Sequence, residues 1–174
     1  MAREGFDPER WKMLEETEVL LDRLRALSEA LAVFDQAGGE VTGRSTPQLM
    51  YFAGKDLGKR EASAYDATDD IEKALKWVFR GSPEVWKVSL WKNKEDDDFW
   101  VYEVEEMFIR LLFERCPIRT ACLGAGVALG GVACQTMHGY AAGMLESVFG
   151  RRVDLRTEHA GPASCLVMLK TTLE

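Results

Sequence analysis

The sequence has few residues suited to covalent or metal cross-links and no segment suited to a membrane. Its 174 residues include four cysteines and two histidines, and no two cysteines form a Cys-x-x-Cys pair. The most apolar run, 121–134, is shorter than the roughly 20 residues that a membrane-spanning helix needs. No basic and apolar leader opens the chain. We therefore expect a cytoplasmic protein without a membrane span, whose cysteines are thiols or metal ligands rather than disulfides.

The charge pattern lacks a basic cluster. The chain has 22 Lys and Arg against 29 Asp and Glu, a formal charge of −7, and its basic residues are dispersed. Nucleic-acid-binding proteins usually carry a basic stripe, and docking on anionic lipid needs basic residues too. The composition argues against both classes. The length and apolar content predict one globular domain, residues 1–174, that can bury a core without disulfides.

The first part of the chain shows helical periodicity. Residues 7–37 predict a long amphipathic helix, an N-terminal extension that packs on the domain or on a second copy of the chain. A second helix is predicted from Ser45 or Thr46. Its Gly54 and Gly58 lie on one face, a spacing that permits close approach of another helix or of a ligand. A third helix is predicted from about residue 66 to Gly81 and Pro83, which end it.

The remaining chain predicts strands around one long helix. Period-two alternation predicts a strand at 85–92 and one long or two short strands within 99–117. The glycine-rich stretch 119–149 is predicted as a single helix. A closing hairpin follows, with strands at 151–159 and 164–173. The predicted fold is α+β, an antiparallel sheet packed against helices in the order ααα–ββ(β)–α–ββ.

Candidate metal ligands gather near the C-terminus. Zinc takes four Cys, His or carboxylate ligands in tetrahedral array. Cys134 and His138 lie four apart on one helical face. Glu158 and His159 are adjacent on a strand and point to opposite faces, so only one of them can join a common ion. The predicted zinc ligands are Cys134, His138, Glu158 and Cys165, with His159 as an alternative. The competing interpretation is that both cysteines are buried as small apolar residues.

Thiolate–imidazole catalysis is a further possibility. Cys116, Cys134 or Cys165 can in principle pair with either histidine. The sequence carries no local signature of such a nucleophile, and no phosphate-binding loop. An enzyme that depends on a cysteine or a metal is therefore the third of three functional alternatives.

Three local patterns resemble the 4-vinyl-reductase domain family. The first is LMYFAGKDLG at 49–58, and the second is ERCPI at 114–118. The third is Cys134 followed by HGYAAGMLESVFGRRVDLRTEH and then Cys165. The resemblance covers about residues 45–172 and leaves the N-terminal helix outside.

The resemblance implies a fold shared with the small subunits of the TRAPP tethering complex. It also implies a binding or sensing module for small aromatic or apolar molecules. Some family members hold zinc, and the matching positions here are Cys134, Glu158 and Cys165. This chain departs from the family in the loop 159–164, which is shortened and lacks one Cys, so that His159 would have to replace it.

The leading hypothesis is non-catalytic binding of a small hydrophobic or aromatic molecule between the glycine-rich helix and the sheet. Aromatic residues are abundant around 77–113 and could line such a pocket, since small-molecule sites favour them. The predicted lining residues are Trp86, Trp91, Trp100, Phe108, Tyr140 and Met144. The second alternative is a scaffold or assembly subunit of the TRAPP type without a free ligand. In either case we expect a homodimer through helices that include the first.

Overall fold

The computed structural model describes residues 8–79, 86–94 and 98–172. These residues form an antiparallel sheet packed against helices, so the predicted α+β class is confirmed. The helices are α1 (Pro8–Thr42), α2 (Thr46–Glu61), α3 (Ile71–Val78), α4 (Pro117–Gly124) and α5 (Val132–Phe149). The strands are β1 (Lys87–Trp91), β2 (Trp100–Glu103), β3 (Glu106–Arg115), β4 (Val153–Ala160) and β5 (Cys165–Thr172).

The glycine-rich stretch is two helices, so the prediction of one helix over 119–149 is wrong. Helix α4 ends at Gly124, and α5 begins at Val132. Between them Gly126 and Gly130 adopt left-handed backbone conformations, with φ of 68° and 78°. Glycine accepts these angles without the steric cost that other residues incur, and they cannot belong to a right-handed helix. The glycines therefore turn the chain rather than thin one continuous helix.

The sheet has the order β1-β3-β5-β4, with β2 also paired to β3. Strand β3 pairs with β5 on one side. On its other side β2 pairs with the first part of β3, and β1 pairs with the second part. The closing hairpin thus places β5 beside the central strand and β4 at the margin of the sheet. A bulge between Thr157 and His159 interrupts the β4–β5 register.

One face of the sheet forms the core with the helices. Along β3 the buried residues alternate as Met107, Ile109, Leu111 and Phe113, all on the helix side. The residues between them, such as Phe108 and Arg110, lie on the opposite face and are half-buried. Period-two alternation therefore decides which side chains can meet the helices.

Helices α2 and α5 cross through glycines on both partners. A Cβ added at Gly54 or Gly58 would collide with backbone carbonyl oxygens of α5, those of Thr136 and Tyr140. A Cβ added at Gly139 or Gly143 would collide in the same way with α2. The glycine pair noted in the sequence thus serves close packing of helices. It holds the backbones of α2 and α5 in close contact.

Helix α1 continues to Thr42, beyond the predicted end at residue 37. Its C-terminal half contacts the α4–α5 region, as where Glu29 lies against Gly124 and Val132 against Gly39. The predicted end of the third helix at Gly81 and Pro83 lies outside the described residues. Within the part of the chain that is described, no helix has the length and apolarity to cross a bilayer.

Candidate ligand-binding site

A groove of about 510 Å³ lies between α3 and β1. We call it the α3–β1 groove. Helix α3 is short and strongly amphipathic, and Asp70 caps it by accepting a hydrogen bond from Lys73 N at 3.0 Å. The volume of the groove falls within the usual range for small-molecule sites. The groove walls are mainly apolar side chains: Leu75, Phe79, Trp86, Val88, Leu90 and Phe99.

The charged groups of the groove stand at its rim. Glu72 and Lys76 come from α3, and Lys87 comes from β1, where it also pairs with Glu114 at 2.8 Å. The apolar walls suit a hydrophobic ligand body, and the rim charges can meet a polar substituent that points to solvent.

An aromatic cluster extends inward from the groove. It consists of Phe79, Trp86, Phe113 and His138. The Phe79 and Trp86 rings lie 5.3 Å apart, and Phe79 meets Phe113 edge-on at 5.2 Å. The Phe113 ring is in turn 6.5 Å from the His138 ring. The cluster therefore links the groove wall to the interior between α5 and the sheet.

His138 is a buried neutral imidazole. Burial lowers the pKa of His138 from its ordinary 6.5 to about 4, because the interior disfavours the charged form. Its Nδ1 atom has no hydrogen-bond partner in the structure, and neither has the hydroxyl oxygen of Thr157. Unsatisfied buried polar atoms are uncommon in folded proteins and call for a partner, such as ordered water.

The residues predicted to line one pocket are not brought together. Trp86 lines the α3–β1 groove, and Trp100 packs against the core beside β3. Trp91 and Phe108 lie on the opposite face of the sheet, where Arg110 and Lys170 cover their rings.

The expected location of the pocket is filled by core side chains. Met144 is fully buried between α5 and the sheet, together with Leu145, Leu111 and Leu169. Tyr140 faces a different cavity of about 310 Å³ among α1, α2, α4 and α5, which we call the helical groove. The site suggested by the structure is thus displaced to the α3 side of the domain.

The four cysteines are free thiols. Cys116 precedes α4, Cys122 lies near the end of α4, Cys134 lies in the first turn of α5, and Cys165 begins β5. Cys116 caps α4 by accepting a hydrogen bond from Arg119 N at 3.5 Å, and burial raises the pKa of Cys116 to about 11. A hydrogen bond from the Cys122 thiol lowers the pKa of Cys134 to about 7, against the effect of burial. Hydrogen bonds to a thiolate favour the charged form, whereas burial favours the neutral thiol.

The predicted zinc ligands are divided between the two faces of the sheet. His138 and Cys134 belong to α5, and Cys165 pairs with Phe113 on the helix-facing side. Glu158 instead bonds to Arg110 at 2.8 Å on the opposite face. His159 pairs with Leu166 there and is exposed. Among residues 8–79, 86–94 and 98–172, no group of three His, Cys, Asp or Glu side chains is arranged to hold a metal ion.

A network of charged side chains ties α2 to the start of β4. Lys55 Nζ lies 2.7 Å from Glu146 and donates a hydrogen bond to the Val153 carbonyl at 3.0 Å. Burial acts to raise the pKa of Glu146, but hydrogen bonds from Lys55, Lys59 and Val153 N–H overcome it and lower that pKa to about 2. The network is internally paired, which makes it a structural element rather than an open site.

Sequence reasoning did not identify Leu75, Phe79 or Phe99 as groove residues, nor Cys122 as the neighbour of Cys134. The first two could have been found, since Leu75 and Phe79 lie four apart at the end of the predicted third helix, and residues at this spacing share a helical face. Cys122 could not, because its approach to Cys134 depends on the turn between α4 and α5.

No protein-family model matches the chain, and no curated protein sequence matches it. Among solved structures it is similar to the phenol-responsive sensory domain of the transcription activator PoxR, crystallised with phenol. The two share 17% sequence identity with a TM-score of 0.51, over 84% of this chain and 74% of that chain. At this identity the likeness establishes a shared fold.

Proposed function

We propose that this protein binds a small aromatic or apolar molecule in the α3–β1 groove and acts as a non-catalytic sensing or binding module. The observation that carries the proposal is the wall of the groove. Its aromatic members Phe79, Trp86 and Phe99 offer ring faces and edges to a planar ligand, and Val88 and Leu90 supply the floor. Aromatic pairs contribute about 0.5–1.5 kcal/mol beyond the burial of their area.

The structural neighbour supports this proposal by analogy of fold. The PoxR domain responds to phenol, a small aromatic molecule, and shares its architecture with most of this chain. Fold alone does not carry function, so the argument depends on the aromatic groove that this chain itself presents.

Membership of the 4-vinyl-reductase family is a further part of the proposal. It rests on the three motifs at 49–58, 114–118 and 134–165. The first and third motifs supply the glycines at which α2 and α5 cross. The family's hydrocarbon-binding role is consistent with the apolar groove.

The experiment is a thermal-unfolding series with phenol, indole and toluene as probes. A ligand that binds only the folded state raises the melting temperature as its concentration passes its dissociation constant. We expect a saturable increase with at least one of the three. Native mass spectrometry of protein recovered from cells should also show a retained small molecule. A bare protein mass together with no shift by any probe would overturn the proposal.

The second candidate is a dimeric scaffold, and exposed apolar side chains on α1 and α2 favour it. They are Val19, Leu20, Leu27, Leu31, Val33 and Val41 on α1, and Leu49, Phe52 and Leu57 on α2. Leu31 and Leu57 also line the helical groove. Exposed apolar side chains that form a large patch commonly mark an interaction surface. A second copy of the chain would bury both helices at once.

Light scattering after size-exclusion chromatography tests the dimer. We expect the wild type at twice the chain mass and the double variant Leu20→Glu/Leu27→Glu at the chain mass. Val104→Glu is the matched control, because Val104 is 99% exposed in the turn between β2 and β3. It should keep the wild-type mass. A wild type that is monomeric throughout a broad concentration series rules out the scaffold interpretation.

A further inference from the structure

The α3–β1 groove follows the edge of a strand. Its walls include every residue from 86 to 90, and the last four of these belong to β1. Successive side chains of a strand point to opposite faces of the sheet. A groove that is lined by all of them therefore runs along the side of β1, where main-chain N–H and C=O groups lie, rather than over one face.

The opposite margin of the sheet is covered by side chains. At β4 the Leu155 N–H donates a hydrogen bond to Tyr51 Oη at 3.2 Å. Lys55 Nζ donates to the Val153 carbonyl at 3.0 Å, and the Val153 N–H donates to Glu146 Oε2 at 3.3 Å. Helices α2 and α5 thus cap the outer edge of β4.

The outer edge of β1 lacks a paired strand. Within the described part of the chain, β1 ends the strand order, and no strand pairs with the side that faces away from β3. Alternate N–H and C=O groups of an edge strand point outward and can pair with another chain. A bulge lies between Lys87 and Val88, and the residues from Val88 to Trp91 keep a regular register. Edge lysines often block such pairing, but Lys87 Nζ lies 2.8 Å from Glu114 of the neighbouring strand β3.

The groove walls determine which side chains an added strand would carry. Alternate side chains would lie against Leu75 and Phe79 on the α3 side, and the others beside Lys87 on the outer face. Apolar residues suit the first positions and polar residues the second. The rim lysines Lys76 and Lys87 outnumber Glu72, so acidic residues are favoured among the polar ones, since opposite charges stabilise neighbouring strands.

We propose that the α3–β1 groove also binds an extended peptide segment of a partner protein, which adds as a strand to the edge of β1. The segment carries apolar residues at alternate positions and hydroxyl or acidic residues between them. Main-chain hydrogen bonds supply affinity, and the apolar positions supply specificity. A second copy of the folded chain would bring its own α3 to the same edge, whereas an extended segment brings no helix into the groove.

This inference shares its site with the proposed small ligand but does not depend on that ligand. A peptide along β1 would contact Phe79 and Trp86, which also form the aromatic wall. The two occupants therefore exclude each other. Because peptide binding is measured on ligand-free protein and small-molecule binding in separate titrations, either proposal can fail while the other stands.

The test begins with a selection of random ten-residue peptides, displayed on phage, against the full chain. We expect enrichment of sequences that alternate apolar residues with threonine, serine, aspartate or glutamate. Fluorescence polarisation then gives the affinity of the best peptide for the ligand-free protein. Amide hydrogen exchange at residues 87–91 should slow when this peptide is bound.

N-methylation separates main-chain pairing from contact through side chains alone. Two isomers of the best peptide carry N-methyl groups on alternate residues, one at odd and one at even positions. Only one set of amides faces β1, so one isomer should lose at least about tenfold in affinity while the other keeps most of it.

Three results would overturn the proposal. The first is a selection without alternating sequences, and the second is equal affinity of the two N-methyl isomers. The third is a dimer of the chain that dissociates when the peptide binds, which would assign this edge to a second copy.

Discussion

At the scale of single residues, His138 is a titratable side chain buried in the interior, and its Nδ1 atom has no hydrogen-bond partner. Its neighbours include Phe113 and the core side chains of α5. Burial disfavours the charged imidazolium relative to the neutral imidazole. The free energy of unfolding therefore depends on pH.

We predict that His138 makes the protein sensitive to mild acid. The folded-state pKa of about 4 lies below the ordinary value of 6.5. Between these two pH values His138 is therefore protonated in the unfolded chain but neutral in the folded protein. Stability is therefore fully present above pH 6.5 and falls as the pH drops towards 4, by about 3 kcal/mol. In His138→Leu or His138→Phe this part of the decline should disappear. Urea unfolding at pH 7 and pH 4.5 measures it.

The exposed His159 provides the control for this prediction. His159→Gln should keep the wild-type difference in unfolding free energy between the two pH values. If both His138 variants also keep that difference, burial of the imidazole does not govern the acid response.

Glu146 gives a second prediction for a single residue. Here the folded state favours the charged form of the side chain, whereas at His138 it disfavours the charged form. Its folded-state pKa of about 2 lies below the ordinary 4.5, so its contribution to stability is present above pH 4.5 and is lost as the pH falls towards 2. Glu146→Gln should cost about 1–2 kcal/mol at pH 7, because Lys55 loses a charged hydrogen-bond partner. The difference from wild type should shrink near pH 2.

Glu114→Gln is the matched comparison for Glu146. Glu114 pairs with the exposed Lys87, and pairs of this kind contribute about 0–1 kcal/mol. Equal losses in both variants at pH 7 would contradict a special role for the α2–β4 network.

At the scale of elements, the strands were the most predictable part of the chain. Alternation placed Val88 and Leu90 on one face and Trp91 on the other, as the structure has them. The same alternation separates Trp86 from Trp91, which are an odd number of residues apart. Lining residues chosen for aromatic character alone therefore fell on both faces of the sheet.

The glycines were the least predictable part. At Gly139 and Gly143 the missing side chain lets α2 approach the backbone of α5, whereas at Gly126 and Gly130 a positive φ shapes the turn between α4 and α5. The sequence alone does not distinguish these uses, because the difference lies in a neighbouring helix and in the sign of φ. The error in helix count, and with it the missed contact of Cys122 with Cys134, comes from this ambiguity.

We predict that the α2–α5 crossing does not tolerate side chains. Gly58→Ala or Gly143→Ala should destabilise the fold by at least about 1–3 kcal/mol, because the added methyl meets backbone that cannot move aside cheaply. Gly38→Ala is the control, since its Cβ would meet nothing within 4 Å. It lies inside α1 and should be neutral or stabilising by up to about 1 kcal/mol. Chemical denaturation checks all three, and equal effects would contradict the packing account.

At the scale of the whole molecule, the fold separates the surface that we propose for ligand binding from the surface that the scaffold alternative would use. The α3–β1 groove lies at the margin of the sheet, and the exposed apolar residues of α1 and α2 lie on the helical layer. Ligand binding at one and self-association at the other are therefore compatible.

The most direct test of the central claim is a calorimetric titration of phenol and indole into wild type, Phe99→Ala and Tyr102→Ala. Phe99 lines the groove and is 38% exposed, whereas Tyr102 is 61% exposed and lies outside it. We predict one site per chain in the wild type and an approximately tenfold weaker affinity in Phe99→Ala, as the loss of an aromatic contact worth about 1.4 kcal/mol implies. Tyr102→Ala should bind like the wild type. Absence of binding by either probe, or wild-type affinity in Phe99→Ala, would contradict the assignment of the groove.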